Sequence, residues 1–224
     1  MSGPMTTISL SRIHFPVTTL GPGNRIGIWM QGCSIRCPGC ISADTWAAGR
    51  GQTTIEQALI AMTDWFLHAD GVTISGGEPF DQPDALKELL RGIRGRAKAD
   101  ILVFSGYPVE SISQHLEGMT GLIDALISDP YEVDGPQTKA LRGSDNQRLH
   151  RFTSLGQTRL SSYERPISAQ DRRFDLMMGE TGEVWMAGIP GRDDFKRLAT
   201  ILTDQHHQVF TTQDRSLRGP TGSQ

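Results

Sequence analysis

The sequence is short of cysteine, of net charge and of long apolar runs, and each shortage removes a class of protein. Only three cysteines occur in 224 residues, an odd and small set that does not make a disulfide framework. A formal charge of -3, from 22 basic and 25 acidic side chains, leaves no electrostatic footprint for nucleic acid or an anionic membrane. No apolar run approaches the roughly 18 residues that a spanning helix needs. The opening residues 1–12 lack the basic-then-apolar pattern of a secretory signal. These absences predict a cytoplasmic protein with neither nucleic acid nor membrane as partner. With 37% hydrophobic residues, the chain is long enough to bury one core, with or without a small appendage.

What is present is an alternation of strands and helices. Residues 6–15 alternate loosely, Gly21-Pro22-Gly23-Asn24 is a dense turn signal, and residues 25–30 read as the returning strand of a hairpin. Thr53 and Glu56 fit a capping box, ahead of a core-facing stripe of Ile55, Leu59, Met62 and Phe66. Residues 71–75, 100–104 and 122–128 read as buried strands, separated by helices over 83–94 and 109–116. That order predicts βα units and a parallel sheet. In such sheets, sites form beyond the strands' C-terminal ends. The cysteine loop, Ser75-Gly76-Gly77-Glu78-Pro79, Ser105-Gly106-Tyr107 and Ser128-Asp129-Pro130 all fall there. Residues 136–173 are polar and read mostly as loop. A hairpin is expected over 174–189 about a turn at 179–182, then a helix through Phe195, Leu198, Ala199 and Leu202. A last strand is expected at 208–212, and a disordered tail over 213–224. The organisation expected is a core over 1–152, an extension over 153–212 packing on it, and that tail.

The three cysteines are spaced Cys33-x3-Cys37-x2-Cys40. Short gaps of this kind let one loop offer three thiolates to an iron–sulfur cubane, leaving one iron open to a ligand. A zinc knuckle is the alternative, but it wants a second pair of Cys or His at short spacing. The six histidines are scattered, apart from the adjacent His206 and His207. In Ser75-Gly76-Gly77-Glu78-Pro79, two glycines after a strand permit close approach to the backbone. A phosphate loop is the competing reading. The Glu78 carboxylate and the missing Lys-Ser/Thr ending count against it and suit a cation such as an ammonium.

Together these two motifs resemble the radical S-adenosylmethionine (SAM) superfamily. The likeness is closer to the activating enzymes of anaerobic, class III ribonucleotide reductase, which resemble pyruvate formate-lyase activating enzyme. Thr45-Trp46 and the stretches 100–107, 122–129 and 141–147 add to it, and it spans roughly residues 10–152. The resemblance implies an α/β fold, a partial (βα) TIM-like barrel of the radical SAM type with a C-terminal extension. It implies a 4Fe-4S cluster on Cys33, Cys37 and Cys40, with SAM contacted by Gly76, Gly77, Glu78, Ser105, Asp129 and Asn146, and Gln147 in a further shell. It also implies an oxidoreductase that makes a 5′-deoxyadenosyl radical and, with it, a glycyl radical on a partner enzyme. The implied electron donor is a flavodoxin or ferredoxin. Other substrates, a peptide or small molecule, and a non-catalytic iron–sulfur or zinc module are the alternatives. Two departures stand out. Ile41 occupies the place after the third cysteine that is often aromatic in the family. Beyond the Asn146-Gln147 run the chain continues for a further stretch that short activases lack.

Overall fold

The computed structural model describes residues 6–178 and 184–206. The expected turn at 179–182, the strand at 208–212, His207 and the tail over 213–224 lie outside them. The chain opens with β1 (Thr7–Val17) and β2 (Arg25–Met30), paired antiparallel. Then come β3 (Gln52–Thr54), α1 (Ile55–Ala61), β4 (Gly71–Gly76), α2 (Pro83–Arg94), β5 (Asp100–Phe104) and α3 (Ser113–Glu117). β6 (Ala125–Ser128), β7 (Arg148–Arg151), α4 (Ser154–Leu160), β8 (Phe174–Met178), β9 (Val184–Gly188) and α5 (Asp194–Asp204) complete the order.

Seven strands form one sheet in the order β3-β1-β2-β4-β5-β6-β7. The run β2-β4-β5-β6 is parallel, and β1, β3 and β7 join antiparallel. The architecture is therefore mixed α/β around an open sheet. Strand parity divides its two faces. Ile26, Ile28 and Met30 of β2, Val72 and Ile74 of β4, and Ile101 and Val103 of β5 point to the face that α1 and α2 cover. On α2, Leu86, Leu89, Leu90 and Ile93 recur at helical spacing and are fully buried. Each such side chain contributes about 1.5–3 kcal/mol. Proline opens that helix, where its missing N–H costs nothing.

The opposite face carries Trp29, Leu102, Phe104, Ala125 and Ile127. One end of it is closed by Leu141, Leu149 and Leu160, the other by the two-stranded ribbon β8-β9, whose Met177 and Ala187 pack on Val17, Leu20 and Trp29. Arg12 lies over the rings of both Trp29 and Trp185, at 5.7 and 5.1 Å, and joins ribbon to core.

Four sequence expectations shift. The capping box sits one residue later. Thr54 Oγ1 accepts the Gln57 amide at 3.1 Å, and Gln57 Oε1 accepts the Thr54 amide at 3.3 Å. Thr53 is instead held in β3, paired with Ile8. The strand expected from 122 begins at Ala125, because the Leu122 amide bonds back to Met119 and the Asp124 amide to Ile101. The helix expected over 109–116 is a 3-10 turn, Val109–Ile112, followed by the short α3. The polar stretch 136–173 holds β7 and α4, whose small apolar content is spent on covering the inner face.

Candidate functional site

The cysteine loop leaves the C-terminal end of β2 and is clamped from three sides. The Gly32 amide donates to Thr45 at 2.7 Å and the Cys33 amide to Trp46 at 3.2 Å. Gln82 bridges the main chain, its Nε2 donating to Ser9 O and Gln31 O at 3.2 and 3.1 Å. The Asp81 carboxylate accepts the Ser34 amide at 2.7 Å and the Ser34 hydroxyl at 2.9 Å, while Tyr107 Oη donates to it at 2.9 Å. Asp81 and Gln82 were not singled out in the sequence. Their only local signal is that they follow the Gly76-Gly77-Glu78 loop directly.

The double glycine is needed for a contact inside the chain. Gly76 has φ of 95°, and a Cβ there would stand 2.7 Å from the Met30 nitrogen. A Cβ on Gly77 would lie 2.1 Å from the Gly32 oxygen. The Gly77 amide bonds to Met30 O at 2.9 Å and the Glu78 amide to Gly32 O at 2.8 Å. The glycine loop and the cysteine loop thus lie backbone against backbone, as only glycine allows.

Glu78 turns inward and is 1% exposed. Its Oε1 accepts the Phe80 amide and the Ser105 hydroxyl, both at 2.9 Å, and its Oε2 accepts the Gly106 amide at 2.8 Å. Burial pushes its carboxyl up to about 7, even against these three donors. Ser105, also buried, accepts the Tyr107 amide at 3.1 Å. Glu78 and Ser105 therefore tie the loop after β4 to the loop after β5. Asp129, at φ of 82°, accepts from Ser128 and from Arg148 at 2.7 Å each. Asn146 Nδ2 donates to Pro130 O at 2.7 Å, while its Oδ1 is buried with no hydrogen-bond partner. Gln147 holds the Gly143 amide at 2.8 Å and donates to Asp129 O at 3.2 Å.

All three cysteines are free thiols and half-buried. Burial raises each of them, Cys40 to about 11. Nitrogen donors nevertheless face every sulfur. The amides of Ile35 and Arg36 serve Cys33, that of Tyr131 serves Cys37, and the Ser42 amide with the Trp46 indole serves Cys40. Among the described residues no group of three or more His, Cys, Asp or Glu side chains is gathered tightly enough for one metal ion. A cubane asks for thiolates set around a volume, each with N–H donors to its sulfur, and the loop's donor set fits that need. Beside Cys40 opens a cavity of about 160 Å³. It reaches Trp29, Ser75 and Phe104 on the sheet and Met186, Ile189 and Pro190 on the far side. Among the described residues no helix is long and apolar enough to cross a membrane.

Comparison with known proteins places the chain in one family. A family model described as a 4Fe-4S single cluster domain matches residues 19–150. The anaerobic ribonucleoside-triphosphate reductase-activating protein of Enterobacteria phage T4 is 34% identical over 136 residues, covering 58% of this chain and 85% of that one. Its counterpart in Escherichia coli K12 is 31% identical over 147 residues, 61% of this chain and 95% of the other. The pyruvate formate-lyase-activating enzyme of Listeria monocytogenes is 41% identical over 88 residues, 35% of each chain.

Proposed function

Because the chain belongs to the family of 4Fe-4S single-cluster proteins that includes the anaerobic ribonucleoside-triphosphate reductase-activating proteins, we propose that it is a radical SAM activase that installs a glycyl radical on a partner enzyme. The observation that carries this is the backbone-to-backbone seating of the Cys33-Cys37-Cys40 loop on the Gly76-Gly77 loop. Cys40 of that loop and Ser75, which precedes the glycine pair, border the cavity described above. Cys33, Cys37 and Cys40 would hold the 4Fe-4S cluster. Once bound, the cluster would supply the one-electron reduction chemistry by which SAM gives methionine and a 5′-deoxyadenosyl radical, the species that would take a hydrogen atom from a glycine Cα of the partner. A flavodoxin or ferredoxin is the class of donor that could deliver that electron. The open sheet is read as a partial barrel of the radical SAM type.

The protein's own part is to bind, orient and shield. Gly76 and Gly77 bring main-chain groups to the rim, where the methionine ammonium would lie. Glu78 acts by fixing that rim, since both its oxygens are already engaged. Asn146 Oδ1, buried and unpaired, is an acceptor available to a bound hydroxyl or amine, and an orphan of this kind is costly unless something answers it. Ser105 and Asp129 are held by protein groups and would act through the loops that they anchor.

The test is anaerobic reconstitution with iron and sulfide, then SAM and a strong reductant, with assay for 5′-deoxyadenosine. Product is expected, and electron paramagnetic resonance of a co-incubated anaerobic ribonucleotide reductase should show a glycyl radical. A fully loaded cluster that yields no 5′-deoxyadenosine would refute the proposal.

A further inference from the structure

The family model ends at residue 150, yet one wall of the cavity beside Cys40 comes from residues 186–192. We infer that this segment is the outer wall of the nucleoside half of the SAM site, with Ile189 as its apolar cover. The inference rests on SAM being the ligand of the cysteine loop, and it assigns a role to residues outside the family segment.

Three observations support it. Cys40, Ile41 and Ser42 line the same cavity as residues 186–192, so a ligand anchored at the cysteines that enters it meets both segments. The cavity, at about 160 Å³, is smaller than the roughly 300–1,000 Å³ that encloses a whole drug-sized ligand. It therefore takes part of one. Its lining includes the apolar side chains of Trp29, Phe104, Met186 and Ile189 and the side-chain amides of Gln137 and Gln147. Apolar walls with a few amides suit a flat heteroaromatic base.

The wall is also held in place before any ligand arrives. Thr19 Oγ1 donates to Ala187 O at 3.0 Å, and Gln137 Nε2 to Pro190 O at 2.8 Å. The Gly191 amide donates to Asp194 at 2.7 Å, and the Arg192 guanidinium to Glu132 O at 3.2 Å and to Gly135 O. A prebuilt wall spares a ligand the entropy of ordering a loop. Such a wall also stands where Ile41 alone would leave a base covered on one side.

The experiment uses the full chain, reconstituted without oxygen and checked for iron content. Titration calorimetry with S-adenosylhomocysteine and equilibrium dialysis with 5′-methylthioadenosine are run on wild type, Ile189→Ala and Met186→Ala. Ile189→Ala is expected to weaken both nucleosides roughly tenfold. Met186→Ala, at a half-buried side chain of the same wall, should weaken them several-fold and keeps the test open if the first variant folds poorly. Affinities within twofold of wild type in both variants would overturn the inference and leave the SAM reading standing. So would a changed response to the partner enzyme alone. Wild type that binds neither nucleoside with its cluster fully loaded would sink both.

Discussion

The Asp175 carboxylate accepts the backbone amide of Thr18 at 2.7 Å, across 157 positions of sequence. The same side chain takes the Thr18 hydroxyl at 2.8 Å and the Thr19 amide and hydroxyl at 3.0 and 2.8 Å. One carboxylate thus fastens the β8-β9 ribbon to the turn between β1 and β2. Asp175→Ala should strip the acceptor from the two amides and the Thr18 hydroxyl, the Thr19 hydroxyl still reaching Ala187 O, and loosen the ribbon by about 1–3 kcal/mol. Hydrogen exchange would show faster exchange at Thr18, Thr19 and the ribbon strands, with the parallel strands unaffected. Uniform acceleration over the whole chain would contradict a local anchor.

Beneath the sheet lies a fully buried ion pair. Arg25 Nη1 donates to both oxygens of Asp100 at 2.9 and 2.8 Å, crossing β4 where Gly71 has no side chain. A Cβ on Gly71 would stand 2.1 Å from that guanidinium nitrogen. Asp100→Ala would leave a buried, uncompensated charge and should cost about 3–5 kcal/mol in urea unfolding. Gly71→Ala should be destabilising for the steric reason.

Glu78 makes stability depend on pH in an unusual direction. Its folded carboxyl titrates at about 7, above the ordinary 4.5, because burial disfavours the charge. Between those values the folded state holds a proton that the unfolded chain has released, so stability falls as pH rises through this window. Relative to Glu78→Gln, wild type should gain up to about 3 kcal/mol between pH 8 and pH 5. Urea melts of the two proteins at both pH values check it, and an equal or opposite change would refute the burial argument.

Asp81 holds the cysteine loop by its Ser34 bonds and by Tyr107. Asp81→Ala should lower iron retention roughly 10–100-fold, the usual effect of removing a group that orients a ligand. Tyr107→Phe, losing one bond of the clamp, should lower it less. Iron release to a chelator under anaerobic conditions measures both, and far-ultraviolet circular dichroism checks that the fold persists.

Cys37→Ala leaves two thiols for a cubane. Iron and sulfide content should drop to near background, and 5′-deoxyadenosine formation with it. A variant that still carried a full cluster would move the ligand set elsewhere.

Much of the site could be read from residue order. The thiol spacing and the double glycine needed no coordinates, because both are local: one loop wraps one group, and two missing side chains allow one close approach. The parallel strands were legible too, since their apolar runs are continuous and punctuated by helices. Other features were not. Glu78 reads as an exposed carboxylate until Phe80, Ser105 and Gly106 are seen to enclose it. The polar stretch that hides β7 and α4 has few apolar residues, and these gain meaning only against β5 and β6.

By itself the sequence determined the cysteine loop, the double glycine after its strand and the alternating scaffold that carries both; that the glycines lie against the cysteine loop came from the structure. Tertiary structure alone decided that Asp81 clamps the loop, that Arg25 meets Asp100 beneath Gly71, and that residues 186–192 wall the cavity beside Cys40. The physical reason is separation along the chain. Periodicity and turn chemistry act over a few residues, whereas the first two contacts join positions 47 and 75 apart and the ribbon that carries the wall is tied to Thr18 across 157, all brought together only when both faces of the sheet are covered.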